Sequence, residues 1–110
     1  MTCVIGIDIG TTSTIGVLLD TKNNKIIKKK SINVNLFSAK EGWAEEDPNQ
    51  WWLNTKKIIK ELAKTAKSKK KKITAIGTTG MLPALVLLDK KGKVIRRSIQ
   101  QSDSRTAKQL

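Results

Sequence analysis

Two β-rich runs, CVIGIDI at residues 3–9 and TIGVLLD at 14–20, are separated only by Gly10-Thr11-Thr12-Ser13. Apolar, β-branched runs broken by so short a Gly-containing connection have the signature of a β-hairpin. A second polar turn, Thr21-Lys22-Asn23-Asn24, leads into residues 25–34 (KIIKKKSINV), which can supply a third strand. Its alternation is imperfect, and its lysines suit a partly exposed sheet edge. The first third of the chain therefore predicts a three-stranded antiparallel meander.

The remaining two thirds predict a change to α/β architecture. Residues 35–47 read as a loop. Asp47 is placed to cap a helix, with Pro48 at its first position and Gln50 three residues after the cap as a capping box. Apolar or small residues at 51, 55, 58, 59, 62, 63 and 66 recur at helical spacing, so the helix runs to about Lys67, where the crowded lysines suit the helix dipole. Residues 73–77 (ITAIG) form a buried-looking strand, parallel to the first because a helical crossover precedes it. Residues 84–89 and 93–99, around Lys90-Lys91-Gly92, read as a hairpin, and Arg105 to Leu110 opens another helix that stops without a cap. No internal repeat interrupts this order, and 110 residues fit one domain.

The chain carries 22 Lys and Arg against 9 Asp and Glu, a formal charge of +13. Such an excess can mark nucleic-acid or anionic-membrane binding. Its distribution points instead to solvated lysines on strand edges and helix ends: 14 of the 22 fall in three runs, 25–30, 67–72 and 90–97. Single-strand binders interleave aromatic residues with basic ones for stacking, whereas here the three tryptophans sit beside the acidic stretch Glu41 to Asp47. No specific nucleic-acid partner is expected. No stretch approaches the roughly 18 apolar residues of a membrane span, and no charged segment precedes the first apolar run as in a secretory signal. The single cysteine, Cys3, permits no internal disulfide and sits in an apolar strand, as a small core residue would. A cytoplasmic protein is the expectation.

The segment richest in chemistry is Ile5 to Ser13, IGIDIGTTS. A tight turn of Gly and small hydroxyl residues can aim backbone N–H and O–H donors outward, and anions bind where such donors converge. Gly10 removes the Cβ that would hinder close approach. Asp8, near the end of its strand, could hold a magnesium ion or its water shell beside a phosphate. An ordinary hairpin with a polar turn would use the same residues.

IGIDIGTTST resembles the first phosphate motif of the actin, Hsp70 and sugar kinase superfamily, whose core is a ribonuclease H-like α/β fold. Two further blocks point to one branch. GWAEEDPNQWW, from Gly42 to Trp52, resembles the W-x-E-x-D-P-x-x-W-W stretch of FGGY carbohydrate kinases. The stretch from Ala75, AIGTTGMLPALVLLDKKGKVIRRSIQQSDSRT, resembles their strand, turn, "LLD" hairpin and "I-L-W-N-D-x-R-T" segment in order and spacing. The middle block is expected to be structural: a loop closed by Trp43 and a capped helix burying Trp51 or Trp52.

The resemblance implies an ATP- and Mg2+-dependent transfer of phosphate to a small sugar or polyol, most readily a xylulose-like ketose. It places Gly10, Thr11, Thr12 and Ser13 at the phosphate and Asp8 at the metal. Met81 and Leu82 fall on the sugar wall, and Asp103 and Arg105 match the D-x-R of the sugar-side segment. Some positions depart from the pattern. Ile15 stands where these kinases often carry Lys. Gly80-Met81-Leu82-Pro83-Ala84 replaces G-Q-M-H-G of pentulose kinases, losing polar groups that discriminate polyols. Gln101-Ser102 replaces W-N.

By the same resemblance, the general-base Asp, the adenosine-binding segments and the second lobe would lie beyond Leu110. The chain is therefore expected to be the N-terminal part of a first lobe, inactive alone and prone to self-association. The competing expectations are an Hsp70- or actin-like nucleotide-binding module sharing only the phosphate turn, and a basic nucleic-acid-binding domain.

Overall fold

A computed structural model describes residues 1–109. Strands β1 (Thr2–Ile9), β2 (Ser13–Asp20) and β3 (Lys25–Asn33) form the expected meander. A short strand, β4 (Glu45–Glu46), precedes helix α1 (Pro48–Ser68), which returns the chain to β5 (Lys72–Gly80), parallel to β1. The order of the large sheet is β3-β2-β1-β5. Strands β6 (Ala84–Leu85) and β7 (Ser98–Gln100) join β4 in a smaller antiparallel sheet ordered β4-β7-β6. A short 3-10 helix spans Ala107–Gln109. The molecule is elongated, with extents of 55 × 29 × 20 Å.

Alternation within the strands builds the core. Cys3, Ile5 and Ile7 from β1 and Leu18 from β2 bury one face of the large sheet against Ile58, Leu62 and Ala66, which recur every four residues along α1. Gly16 allows the helix to approach: a Cβ there would lie 2.2 Å from Ile58 Cγ2. Asn54 adds a polar tie, its Nδ2 donating to Asn33 O at 3.2 Å and Thr14 Oγ1 at 3.4 Å. At the other end of the helix Lys71 Nζ meets the Asp20 carboxylate at 2.8 Å, and Asp20 Oδ1 also accepts from Lys22 N.

Several local expectations change in the assembled fold. Asp47 caps α1 by accepting from Asn49 N, but Gln50 does not close a capping box: its Oε1 accepts instead from Asn35 N at 2.9 Å. The competing donor lies on the incoming loop and is invisible to a local motif. That loop is also not wholly irregular, since Phe37 and Glu45 bridge at the start of β4. The 73–77 segment is a strand but not a buried one. β5 is an edge strand of its sheet; Ile73 at its start packs against the core, but the rest is exposed, Ile76 at 51%. The 84–99 hairpin exists with a frayed middle, paired at Leu88 with Val94 and at Ala84 with Gln100. The helix expected from Arg105 begins only as the 3-10 turn at Ala107, and its end at Leu110 lies outside the described residues. Trp51 is half-buried and Trp52 exposed.

Candidate functional site

The Gly10–Ser13 turn is closed by Gly10 N donating to Ser13 O at 3.0 Å. Of the turn amides expected to point outward, that of Gly10 is therefore used internally. Gly10 is required for this closure, because a Cβ would sit 2.9 Å from the same carbonyl oxygen. Val34 N donates to Thr12 O at 2.9 Å, so the exit of β3 fixes the far side of the turn. Among the described residues the amides of Thr11 and Thr12, and the hydroxyls of Thr11, Thr12 and Ser13, take part in no hydrogen bond. A short row of N–H and O–H donors thus remains free on a rigid support.

Asp8 lies on the face of the sheet away from α1, because Ile7, its neighbour in β1, is spent on the core. Its cross-strand partners are Ile15 on β2 and Thr79 on β5. Ile15 thus stands directly opposite Asp8. The carboxylate is exposed at the edge of a shallow depression of about 390 Å3 floored by Gly6, Val17 and Gly77, and makes no hydrogen bond or ion pair among the described residues. No cluster of three or more metal-ligating side chains occurs among those residues. One free carboxylate near unused N–H and O–H donors would still suit Mg2+, which is held by one or two carboxylates together with phosphate oxygens and water.

The parallel pairing of β1 with β5 brings the second predicted segment to the same end of the sheet. Ile9 is in register with Gly80, and Met81 N donates to Ile9 O at 3.0 Å. Met81, half-buried, and Leu82, 77% exposed, therefore leave the sheet beside the Gly10 turn. This is the carboxyl end of parallel strands, where ligands bind in open α/β sheets.

Asp103 and Arg105 come together with each other rather than with that turn. Asp103 Oδ1 accepts from Arg105 N at 2.9 Å and Arg105 Nε at 2.8 Å; Oδ2 accepts from Ala44 N and an Arg105 terminal nitrogen, both at 2.7 Å. A carboxylate offers about four acceptor positions, and all are occupied. Arg105 also donates to Glu45 Oε2 at 2.7 Å and stacks 4.0 Å from the Trp43 ring centroid, while Arg96 adds a second contact to the same Glu45 oxygen. The Arg105 hydrogen bonds hold the Asp103 carboxyl far below its ordinary range, despite its burial. Arg105 likewise holds Glu45 low and is itself raised by its two carboxylate partners. Glu45, Arg96 and the stacking role of Trp43 had no signal in the sequence, because Glu45 is 51 and 60 residues from its arginine partners.

A three-stranded meander extended by a parallel crossover strand, with a Gly-Thr-Thr turn at its end, is the beginning of the ribonuclease H-like lobe of the actin, Hsp70 and sugar kinase superfamily. The chain belongs to the FGGY family of carbohydrate kinases: residues 3–110 match the N-terminal domain of that family. It is 35% identical over 109 residues to the xylulose kinase of Bacillus subtilis, covering 99% of this chain and 22% of that protein. The crystal structure of xylulose kinase from Rhodospirillum rubrum superposes with a TM-score of 0.90 at 48% identity, over 96% of this chain and 22% of that one. Gluconate kinase from Lactobacillus acidophilus gives 0.87 at 32% identity, over 97% and 21%. The chain thus spans about a fifth of the length of the relatives it matches. No helix among the described residues is long and apolar enough to cross a membrane.

Proposed function

We propose that this chain supplies the phosphate-binding wall of an ATP-dependent kinase acting on a small sugar or polyol, with a xylulose-like ketose as the favoured substrate. The observation that carries the reading is the pairing of free donors on Thr11, Thr12 and Ser13 with the unpartnered, exposed carboxylate of Asp8. Donors fixed before the reaction neutralise charge on a transferring phosphoryl group without having to reorganise, and phosphoryl transfer depends chiefly on such positioning. Mg2+ held by Asp8 would supply further neutralisation of phosphate charge. Relatives named xylulose kinase support the ketose. Met81, Leu82 and Pro83 give that wall few polar groups to select among polyols.

The filled acceptor positions of Asp103 give it and Arg105 a bracing role. They hold the segment after β7 against Ala44 and Glu45, and so shape the sugar side without Asp103 accepting from the sugar. In a full-length kinase of this kind, further chain would pack on the face that β5 leaves open and bring the catalytic base and adenosine contacts. The 110 residues alone are expected to self-associate through that face; sedimentation as a compact monomer at high concentration would count against this.

Titration with Mg2+ and ATP, followed by amide NMR, tests the site. Shifts confined to Asp8 and residues 10–13, abolished by Asp8→Asn together with Thr11→Val, are expected. A response unchanged by those substitutions would sink the assignment. No sugar-dependent ATP consumption is expected from the 110 residues alone, and robust turnover with any pentulose, polyol or gluconate would overturn that.

A further inference from the structure

On the other side of the large sheet, α1 and the edge strand β3 leave an open groove of about 710 Å3 lined by Lys30, Ile32, Lys57, Lys60, Glu61 and Lys64, among others. Strand register explains why lysines of β3 meet those of the helix. Lys28 pairs with Leu18 and Lys30 with Gly16, both under α1, so the two lysines project on the helix side of the sheet. Along α1, positions 57, 60, 61 and 64 are three and four residues apart and share one face. A single carboxylate answers this set: Glu61 lies 3.8 Å from Lys28 Nζ and 3.5 Å from Lys30 Nζ. Lys57, Lys60 and Lys64 form no ion pair among the described residues.

We infer that this groove binds a small polyanion carrying at least two phosphate groups, at a site separate from the Gly10 turn. Several ammonium groups within about one Debye length of each other repel, and a multivalent anion seated between them relieves that repulsion more than dispersed monovalent ions can. Lysine is a compact point-charge ligand for phosphate. The groove falls within the roughly 300–1,000 Å3 of small-molecule sites. Its lining offers Ile32 and no aromatic ring, so it provides no platform for stacking nucleic-acid bases. Glu61 acts as the resident counter-ion that the ligand displaces.

The probe is sodium tripolyphosphate, titrated into the chain at about 150 mM ionic strength to suppress diffuse charge effects, with calorimetry and amide NMR as readouts. Saturable binding with shifts centred on Lys30–Ile32 and Lys57–Lys64 is expected, on a curve independent of any response at residues 10–13. Lys30→Gln with Lys60→Gln should weaken the groove response by at least about tenfold, the scale of losing charged hydrogen-bond donors. Lys90→Gln with Lys91→Gln removes the same charge from a distant turn and should change it by less than about twofold. Glu61→Gln should tighten binding severalfold, which a merely structural role for Glu61 would not produce. Retention of the far-UV spectrum checks each variant's fold. Equal weakening by the two lysine pairs, absence of saturable shifts in the groove, or tighter binding of duplex oligonucleotides that grows with their length would each overturn the inference.

Discussion

Trp51 donates its indole N–H to Oε1 of Glu46 across 2.9 Å, while the other oxygen of this fully buried carboxyl has no partner among the described residues. Burial raises the carboxyl above its ordinary value of 4.5, and the Trp51 hydrogen bond offsets only part of the effect. A raised folded-state value means that the folded protein holds this proton more tightly than the unfolded chain. The stabilisation is complete below pH 4.5 and is lost as pH rises. Glu46→Gln keeps the acceptor for Trp51 and places a donor where Oε2 stands alone. It is expected to stabilise the chain by about 1 kcal/mol at neutral pH, and the gain should vanish in melts recorded below pH 4.5. An unchanged difference at both pH values would contradict this.

Asp103 has the opposite sign. Its folded-state value is held low by Arg105, so its stabilisation is present above the ordinary 3.8 and lost as pH falls beneath it. Asp103→Asn should lower the melting temperature by several degrees at neutral pH, because it removes the charge that pairs with Arg105 and turns one of two fully used acceptor oxygens into a donor. The penalty should shrink in acid as the wild-type carboxylate is itself protonated. Paired thermal melts at neutral and strongly acidic pH measure both halves of the claim.

Gly16 faces α1 at its closest approach. A Cβ would meet Ile58 Cγ2 at 2.2 Å, and Ile7 and Leu62 methyl groups at 3.2 Å. Gly16→Ala is expected to cost about 1–3 kcal/mol through overpacking. Chemical denaturation of Gly16→Ala/Ile58→Ala should show less loss than the sum of the single changes, since the second removes the atom that the first strikes. Simple additivity would rule out the contact as the cause.

Helix α1 ends in a Schellman-type turn: Lys71 N donates to Ala66 O at 2.9 Å and Lys70 N to Lys67 O at 3.0 Å. Lys70 occupies the left-handed position, with φ 54°, where glycine is usual. Lys70→Gly should raise stability by roughly 0.5–1 kcal/mol, the strain relieved less the extra freedom of the unfolded chain. A destabilised variant in urea titration would show that the lysine side chain contributes more than its backbone strain costs.

The elements that sequence periodicity revealed are those whose causes are local. Residues 3–20 alternate around a four-residue turn, so β1 and β2 could pair only as neighbours. Asp47 and Pro48 mark the start of α1 because capping satisfies amides within a few residues. The Gly10 turn was legible for the same reason, its closure being a contact between residues three apart. Gln50 shows where such reasoning stops: its motif is local, but a donor from Asn35 captured the side chain.

The amino-acid sequence by itself determined the meander, the capped helix, the crossover and the family blocks, since each depends on residue spacing along the chain. Only the tertiary structure decided which groups those elements bring together. It seated Arg105 between Asp103 and Glu45, buried Glu46 against Trp51, left β5 exposed, and gathered lysines from β3 and α1 into one groove. These outcomes depend on partners tens of residues away, whose positions the backbone fixes only once the sheet and helix have packed.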